Sequence, residues 1–250
     1  DLRPQISAPA FSFNLTSEDT EKRKVFGDLN FRKAMSHAIN RNEINEVAFF
    51  GQGEITQYIG FSPAPSFADP KWLKYATEYN PSESRALLVS VGMKDTDGDG
   101  FRELPNGDQF VLNMQFSTQG IAGQVVELVA QSWAEVGIKT TVKEVTPDEY
   151  RSAQSSNKLD VGMWEKGQPI AIVLGNNELW VPPYENYFGH RVAMLWAEYI
   201  ESGGSAGVEP PAWVNEMIAD INAFQSSPTG SSEQNALAIK MAQKMVDELL

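Results

Sequence analysis

The sequence predicts an α/β fold, and three observations carry that expectation. Apolar residues alternate at Phe110, Leu112, Met114 and Phe116. They take helical spacing at Ile121, Val125, Leu128, Val129, Trp133 and Val136, then return to alternation at Ile138, Thr140 and Val142. Strand, helix and strand joined by short turns make a βαβ unit with parallel strands and a right-handed crossover. Helix-start signals recur along the chain, and its last third carries helical patterns without a strand.

The elements follow in order. Phe11, Phe13 and Leu15 alternate within the segment 6–15, which reads as a strand. Leu29, Phe31, Ala34, Met35, Ala38 and Ile39 lie behind Asp28 as N-cap and read as a helix. Asn40 and Glu43 form a capping-box pair that opens a second helix, which Gly51 ends. Residues 52–79 read as a long loop bearing Pro and aromatics. Asn80-Pro81-Ser82-Glu83 combines an N-cap, Pro at the first helical position and a Glu to reach back, and predicts a helix to Gly92. The βαβ unit follows, with strands over 109–117 and from 138, and a helix over 121–136. Thr146-Pro147-Asp148-Glu149 caps another helix, and Leu159 to Trp164 reads as a short strand. Residues 166–189 hold Gly, Pro and aromatics with no period. Three helical stretches near 190–201, 210–224 and 232–250 complete the chain.

Composition narrows the function. The chain has 250 residues, 42% hydrophobic and 21% charged, which is too apolar for disorder. Thirty-three acids against 20 bases give a formal charge of −13 with no basic run, so a nucleic-acid partner is not expected. No apolar run is long enough to span a bilayer. Cysteine is absent, and two histidines offer neither a nucleophilic triad nor a catalytic zinc site. A glycoside hydrolase would need two carboxylates facing across a cleft, and the sequence singles out no such pair. The sequence therefore singles out no catalytic machinery, and an enzyme is not expected.

The run Gly27-Asp28-Leu29-Asn30-Phe31-Arg32-Lys33-Ala34-Met35-Ser36-His37-Ala38-Ile39-Asn40-Arg41 closely resembles a signature of the family 5 extracellular solute-binding proteins. Further resemblances follow in the family's order. They are Tyr79-Asn80-Pro81 with Ala86-Leu87-Leu88 and Gly92, then Asp95-Thr96-Asp97-Gly98-Asp99-Gly100, then Trp133-Ala134-Glu135-Val136-Gly137-Ile138. The resemblance implies a lobe of the type II periplasmic-binding-protein kind, with a mixed sheet, the βαβ unit, flanking helices and a helical C-terminal third. It implies a soluble component of an ABC importer that holds a peptide, metal chelate or oligosaccharide between two hinged lobes and delivers it to a membrane permease. It further implies a periplasmic or extracellular location with a lipoprotein anchor. The chain starts at Asp1 without an initiator Met and stops within a helical pattern at Leu250, so residues 1–250 are expected to be a single excised second lobe.

The resemblance also supplies candidate ligand residues. Phe13-Asn14-Leu15 resembles the strand that enters the second lobe at the hinge, and Asn14 there is one candidate. Trp164 stands where the family often has W-x-x-D, whose Asp receives a peptide amino terminus; here the fourth position is Gly167. Either Glu165 substitutes as amine anchor or the ligand carries no ammonium group. An oligosaccharide fits the second case, since sugars stack apolar faces on rings while amides and carboxylates bond their hydroxyls. Trp180, Tyr184 and Tyr187, close downstream, supply further aromatics. Separately, Asp95, Asp97, Asp99 and Gly100 match the start of a calcium loop, with Glu103 at its ninth position. Asn106 stands at the twelfth, where such loops carry a bidentate Glu, so calcium binding is expected to be weak. The plainer reading is a polar connection turned by its glycines. No other cofactor is expected.

Overall fold

The computed structural model describes residues 8–59, 61, 63–166 and 192–250. Among these, the chain runs β1 (Ala8–Phe13), α1 (Thr20–Gly27), α2 (Leu29–Ala38), α3 (Arg41–Phe49), α4 (Pro81–Ser90), β2 (Leu112–Phe116), α5 (Gly123–Ala134), β3 (Thr140–Glu144), α6 (Pro147–Ser155), β4 (Val161–Lys166), α7 (Met194–Glu201), α8 (Ala212–Ser226) and α9 (Ser232–Asp247). The expected α/β order is present. One segment departs from expectation: α1 forms where no helix was predicted.

Among the described residues the strands form two pairs. β2 and β3 are parallel, with Leu112 opposite Thr140 and Phe116 opposite Glu144, and α5 crosses between them as the βαβ pattern requires. β1 and β4 are antiparallel, with Ala10 opposite Trp164 and Phe13 opposite Val161. Asp160, at the foot of β4, ties the pairs together. Its carboxylate accepts from the Asn113 N–H at 2.9 Å and from Lys22 Nζ at 2.7 Å. Lys22 is carried by α1, and the ion pair is largely buried, with side chains 14% and 13% exposed.

Caps start the helices as the sequence indicates, with two corrections. Thr146 and Glu149 make the full reciprocal box at α6. Asn40 and Asn80 each accept from the third helical N–H, but their own N–H groups turn elsewhere, to Ser132 Oγ at 3.5 Å and to the His37 carbonyl at 2.8 Å. Tertiary partners replace the reaching-back Glu. Arg41, which ends the signature run, donates to the Ser36 carbonyl at 2.7 Å and Ser36 Oγ at 2.8 Å, satisfying the C-terminal end of α2. Burial lowers its pKa to about 10, still cationic at neutral pH.

Two large apolar cores result. The first gathers Phe13, Phe26, Phe31, Phe110 and Trp133 with the apolar faces of α2, α5 and the strands. Its rings meet mostly edge-on or tilted, for example Phe13 and Phe31 at 5.1 Å, the arrangement the ring quadrupole favours. Trp133 is fully buried and its indole N–H finds the Met35 carbonyl at 3.0 Å. The second core packs α7, α8 and α9 with Ile59, Phe61 and Trp72 from the 52–79 connection. Among its described residues that connection is a loop apart from one 3-10 turn at Trp72–Lys74, yet it contributes core. Arg32 links the two regions: its guanidinium donates to the Phe26 carbonyl at 2.7 Å and the Glu248 carbonyl at 2.9 Å.

A buried polar bracket fixes the end of β1. Asn14 Nδ2 donates to Asn157 Oδ1 and to the Leu159 carbonyl, each at 2.9 Å, while its Oδ1 accepts from the Thr16 N–H at 3.0 Å. Asn157 returns a bond to the Thr16 carbonyl at 2.8 Å, and Thr16 Oγ1 accepts from the Leu195 N–H at 3.2 Å. Asn157 sits at φ 59°, a left-handed conformation that Asn tolerates better than most residues. Replacing Asn14 with Leu strands several buried groups at once and is expected to cost about 3 kcal/mol in urea unfolding. Lys158→Ala breaks an ion pair to Glu18 whose side chains are both 58% exposed. It is expected to cost no more than about 0.5 kcal/mol in the same assay.

Candidate functional site

Two of the described candidate ligand residues, Trp164 and Glu165, are neighbours on β4. Trp164 is half-buried and packs on Tyr150 of α6, ring centroids 5.6 Å apart and planes at 34°. Tyr150 is fully buried. Its hydroxyl accepts from the Met163 N–H at 2.8 Å and donates to the Met163 carbonyl at 3.0 Å, which anchors the ring under the strand. Val145 and Leu159 complete this small apolar cluster. Glu165 is exposed, and its backbone N–H donates to the Gly120 carbonyl at 2.8 Å. β4 is thereby joined to the turn that precedes α5. A hollow on the inner side of Trp164 is lined by Ser12, Tyr150, Gln154 and Val192.

Asn14 lies apart from this surface. It is 6% exposed and all its amide capacity is used in the bracket described above. Trp180, Tyr184 and Tyr187 lie outside the described residues, as does Gly167. Two residues that sequence reasoning missed, Tyr150 and Gly120, hold Trp164 in place. The signal for Tyr150 was weak: a lone aromatic in an otherwise polar capped helix.

The acidic loop assembles much as its spacing suggested. Asp95, Asp97, Asp99 and Glu103 bring one carboxylate oxygen each within 4.8 Å of one another, about twice a calcium–oxygen bond. The loop's own donors already bond carboxylate oxygens of these residues. Asp95 accepts from the Gly98 and Gly100 N–H groups at 2.7 and 3.1 Å, and Glu103 Oε2 takes the Thr96 N–H at 2.6 Å and hydroxyl at 2.7 Å. Lys139 lies 3.7 Å from Asp99. Asn106 turns onto Asp108 at 2.7 Å instead of toward the loop centre.

Two measurements test this account. Burial pushes the Tyr150 phenol up to about 12, against about 10 in an unfolded chain. The raised value stabilises the fold in full below pH 10, and that contribution is lost as pH rises from 10 through 12. Tyr58, also raised by burial, adds to the same limb. Tyr150→Phe is expected to flatten part of the alkaline fall in stability and to cost about 1–2 kcal/mol at neutral pH, from the unpaired Met163 N–H. For the acidic loop, excess EDTA is expected to move the melting temperature by no more than about 2 °C. A fall of many degrees, reversed by calcium, would show a structural metal site.

Comparisons with known proteins place this geometry. The model of the family "Bacterial extracellular solute-binding proteins, family 5 Middle" matches residues 2–171. The periplasmic α-galactoside-binding protein of Rhizobium meliloti is 25% identical over 255 residues, covering 94% of this chain and 34% of that protein. The oligopeptide-binding protein AppA of Bacillus subtilis is 30% identical over 128 residues, 50% of this chain and 23% of its own length. The chain thus spans about a third or less of the length of these two curated relatives. Among solved structures, an oligopeptide-binding protein OppA superposes with a TM-score of 0.83 at 25% identity, over 98% of this chain and 40% of that one. The stachyose complex of MelB from Agrobacterium fabrum superposes at 0.73 with 18% identity, over 98% of this chain and 37% of that one. The fold is that of type II periplasmic binding proteins, and the chain belongs to the family 5 bacterial extracellular solute-binding proteins.

Proposed function

We propose that this chain is one lobe of a solute-binding protein that captures an oligosaccharide between two hinged lobes and passes it to an ABC permease. The work is binding without bond chemistry, done outside the cytoplasmic membrane by a protein held there through a lipid anchor. One observation carries the ligand class: the relative whose match extends over 94% of this chain is named for α-galactoside binding. The residues support it. Gly167 stands where a peptide binder of the family carries its amine-receiving Asp, while Trp164 offers a ring held by Tyr150 and Glu165 stands exposed beside it. Trp180, Tyr184 and Tyr187 follow as further aromatics for stacking on sugar faces. Asn14 serves the site indirectly, by fixing the strand that pairs with β4.

The second reading is an oligopeptide-binding protein with Glu165 as amine anchor, favoured by the likeness to AppA and OppA. Calorimetry and thermal shift on the full-length protein separate the two, with stachyose and a free-amino-terminus tripeptide as probes. Stachyose is expected to bind and to raise the melting temperature, by about 2.7 kcal/mol of stabilisation at a hundredfold excess over Kd. The tripeptide is expected to do neither. Tight tripeptide binding that Glu165→Gln abolishes would overturn the oligosaccharide reading.

A further inference from the structure

We propose that Gly120 is a specificity-determining positioning residue: it sets the tilt of the Trp164 ring and so decides which apolar ligand face that ring can meet. The proposal rests on the reading of Trp164 as a ligand-facing aromatic. A Cβ placed on Gly120 would lie 2.1 Å from Cε3 of Trp164, 2.4 Å from Cζ3 and 2.5 Å from Cδ2. Ordinary carbon–carbon contact begins near 3.5 Å, so the indole rests directly on the glycine backbone. The backbone at Gly120 is not in the left-handed region, unlike that of Gly92 or Gly137. Space, and not a special turn conformation, is what demands glycine here.

The turn at Gly120 has little room to yield. The Gly120 carbonyl is bound by the Glu165 N–H at 2.8 Å, and the Gly120 N–H is bound to the Ser117 carbonyl at 2.9 Å. Glu165 follows Trp164 in the chain, so this hydrogen bond holds the strand against the turn at the point where ring and glycine touch. Tyr150 packs against the indole as well, and its hydroxyl is bonded in both directions to Met163. The ring thus meets both a fixed peptide unit and a fixed phenol. A methyl group at position 120 therefore has to swing the indole rather than push back the turn. A stacked sugar ring depends on the plane of its platform, whereas a peptide held through its main chain depends on it much less.

The test combines spectroscopy and binding. Trp164→Phe identifies the Trp164 resonance among the six tryptophans in a 5-fluorotryptophan-labelled sample. Gly120→Ala is expected to move that resonance, to leave those of Trp133, Trp196 and Trp213 in place, and to weaken stachyose binding by the full-length protein at least tenfold. Added to Trp164→Phe, it is expected to cause little further loss, because the two act through one ring. An unmoved Trp164 resonance would overturn the proposal. So would a loss of stachyose affinity in Trp164→Ala that Gly120→Ala does not share. If the resonance moves while neither variant changes stachyose affinity, positioning stands and the ligand reading of Trp164 fails. Should Gly120→Ala not fold, the double variant Gly120→Ala/Trp164→Leu is expected to fold, since the smaller side chain vacates the contact. Failure of both to fold would count against the steric account.

Discussion

The antiparallel pairing of β1 with β4, locked by the Asn14–Thr16–Asn157 bracket, is the constraint on which the other contacts depend. It joins residues more than 140 positions apart in the chain and brings β1 against the strand that carries Trp164 and Glu165. Phe13 enters the first core from this strand, while Leu15, two residues on, enters the second. The bracket is polar and buried, so its contribution is asymmetric. Fully bonded, it adds modestly to stability, but a single lost partner leaves donors and acceptors with no water to turn to.

Most elements were legible because local signals and burial agree. The βαβ unit announced itself by two changes of period, and Thr146 through Glu149 formed the capping box they spell. Helix α1 was not legible, since its only buried residues are the adjacent Val25 and Phe26, which make no stripe. Its signals were purely electrostatic: Asp19 capping two N–H groups, Glu21 in the first turn and Lys24 in the last. Gly51 was read as the stop of α3, yet the left-handed turn begins one residue earlier at Phe50.

The candidate site was half-legible for a related reason. Trp164 and Glu165 drew notice through a motif, whereas Gly120 and Tyr150 act by shape and by contacts that only folding creates. Asn14 sat at the end of the right strand, but that position does not tell an inward amide from one facing ligand. The family signature itself proves architectural. Asp28 caps α2 while its own N–H closes α1, Arg32 spans two regions, and Arg41 satisfies a helix end. Residues that identify a family need not be those that choose its ligand.

The Arg32–Glu248 contact has a consequence in time as well as in space. Its partners are 216 residues apart, so Arg32 leaves the ribosome long before the carbonyl it will bond exists. At roughly 5–20 residues per second, that interval is on the order of ten to forty seconds. The other bond of the Arg32 guanidinium, to the Phe26 carbonyl six residues back, needs no later segment. The nascent chain can therefore settle α1 and α2 early while leaving the seam between the two cores open. The bond to Glu248 can close that seam only once residue 248 has been made.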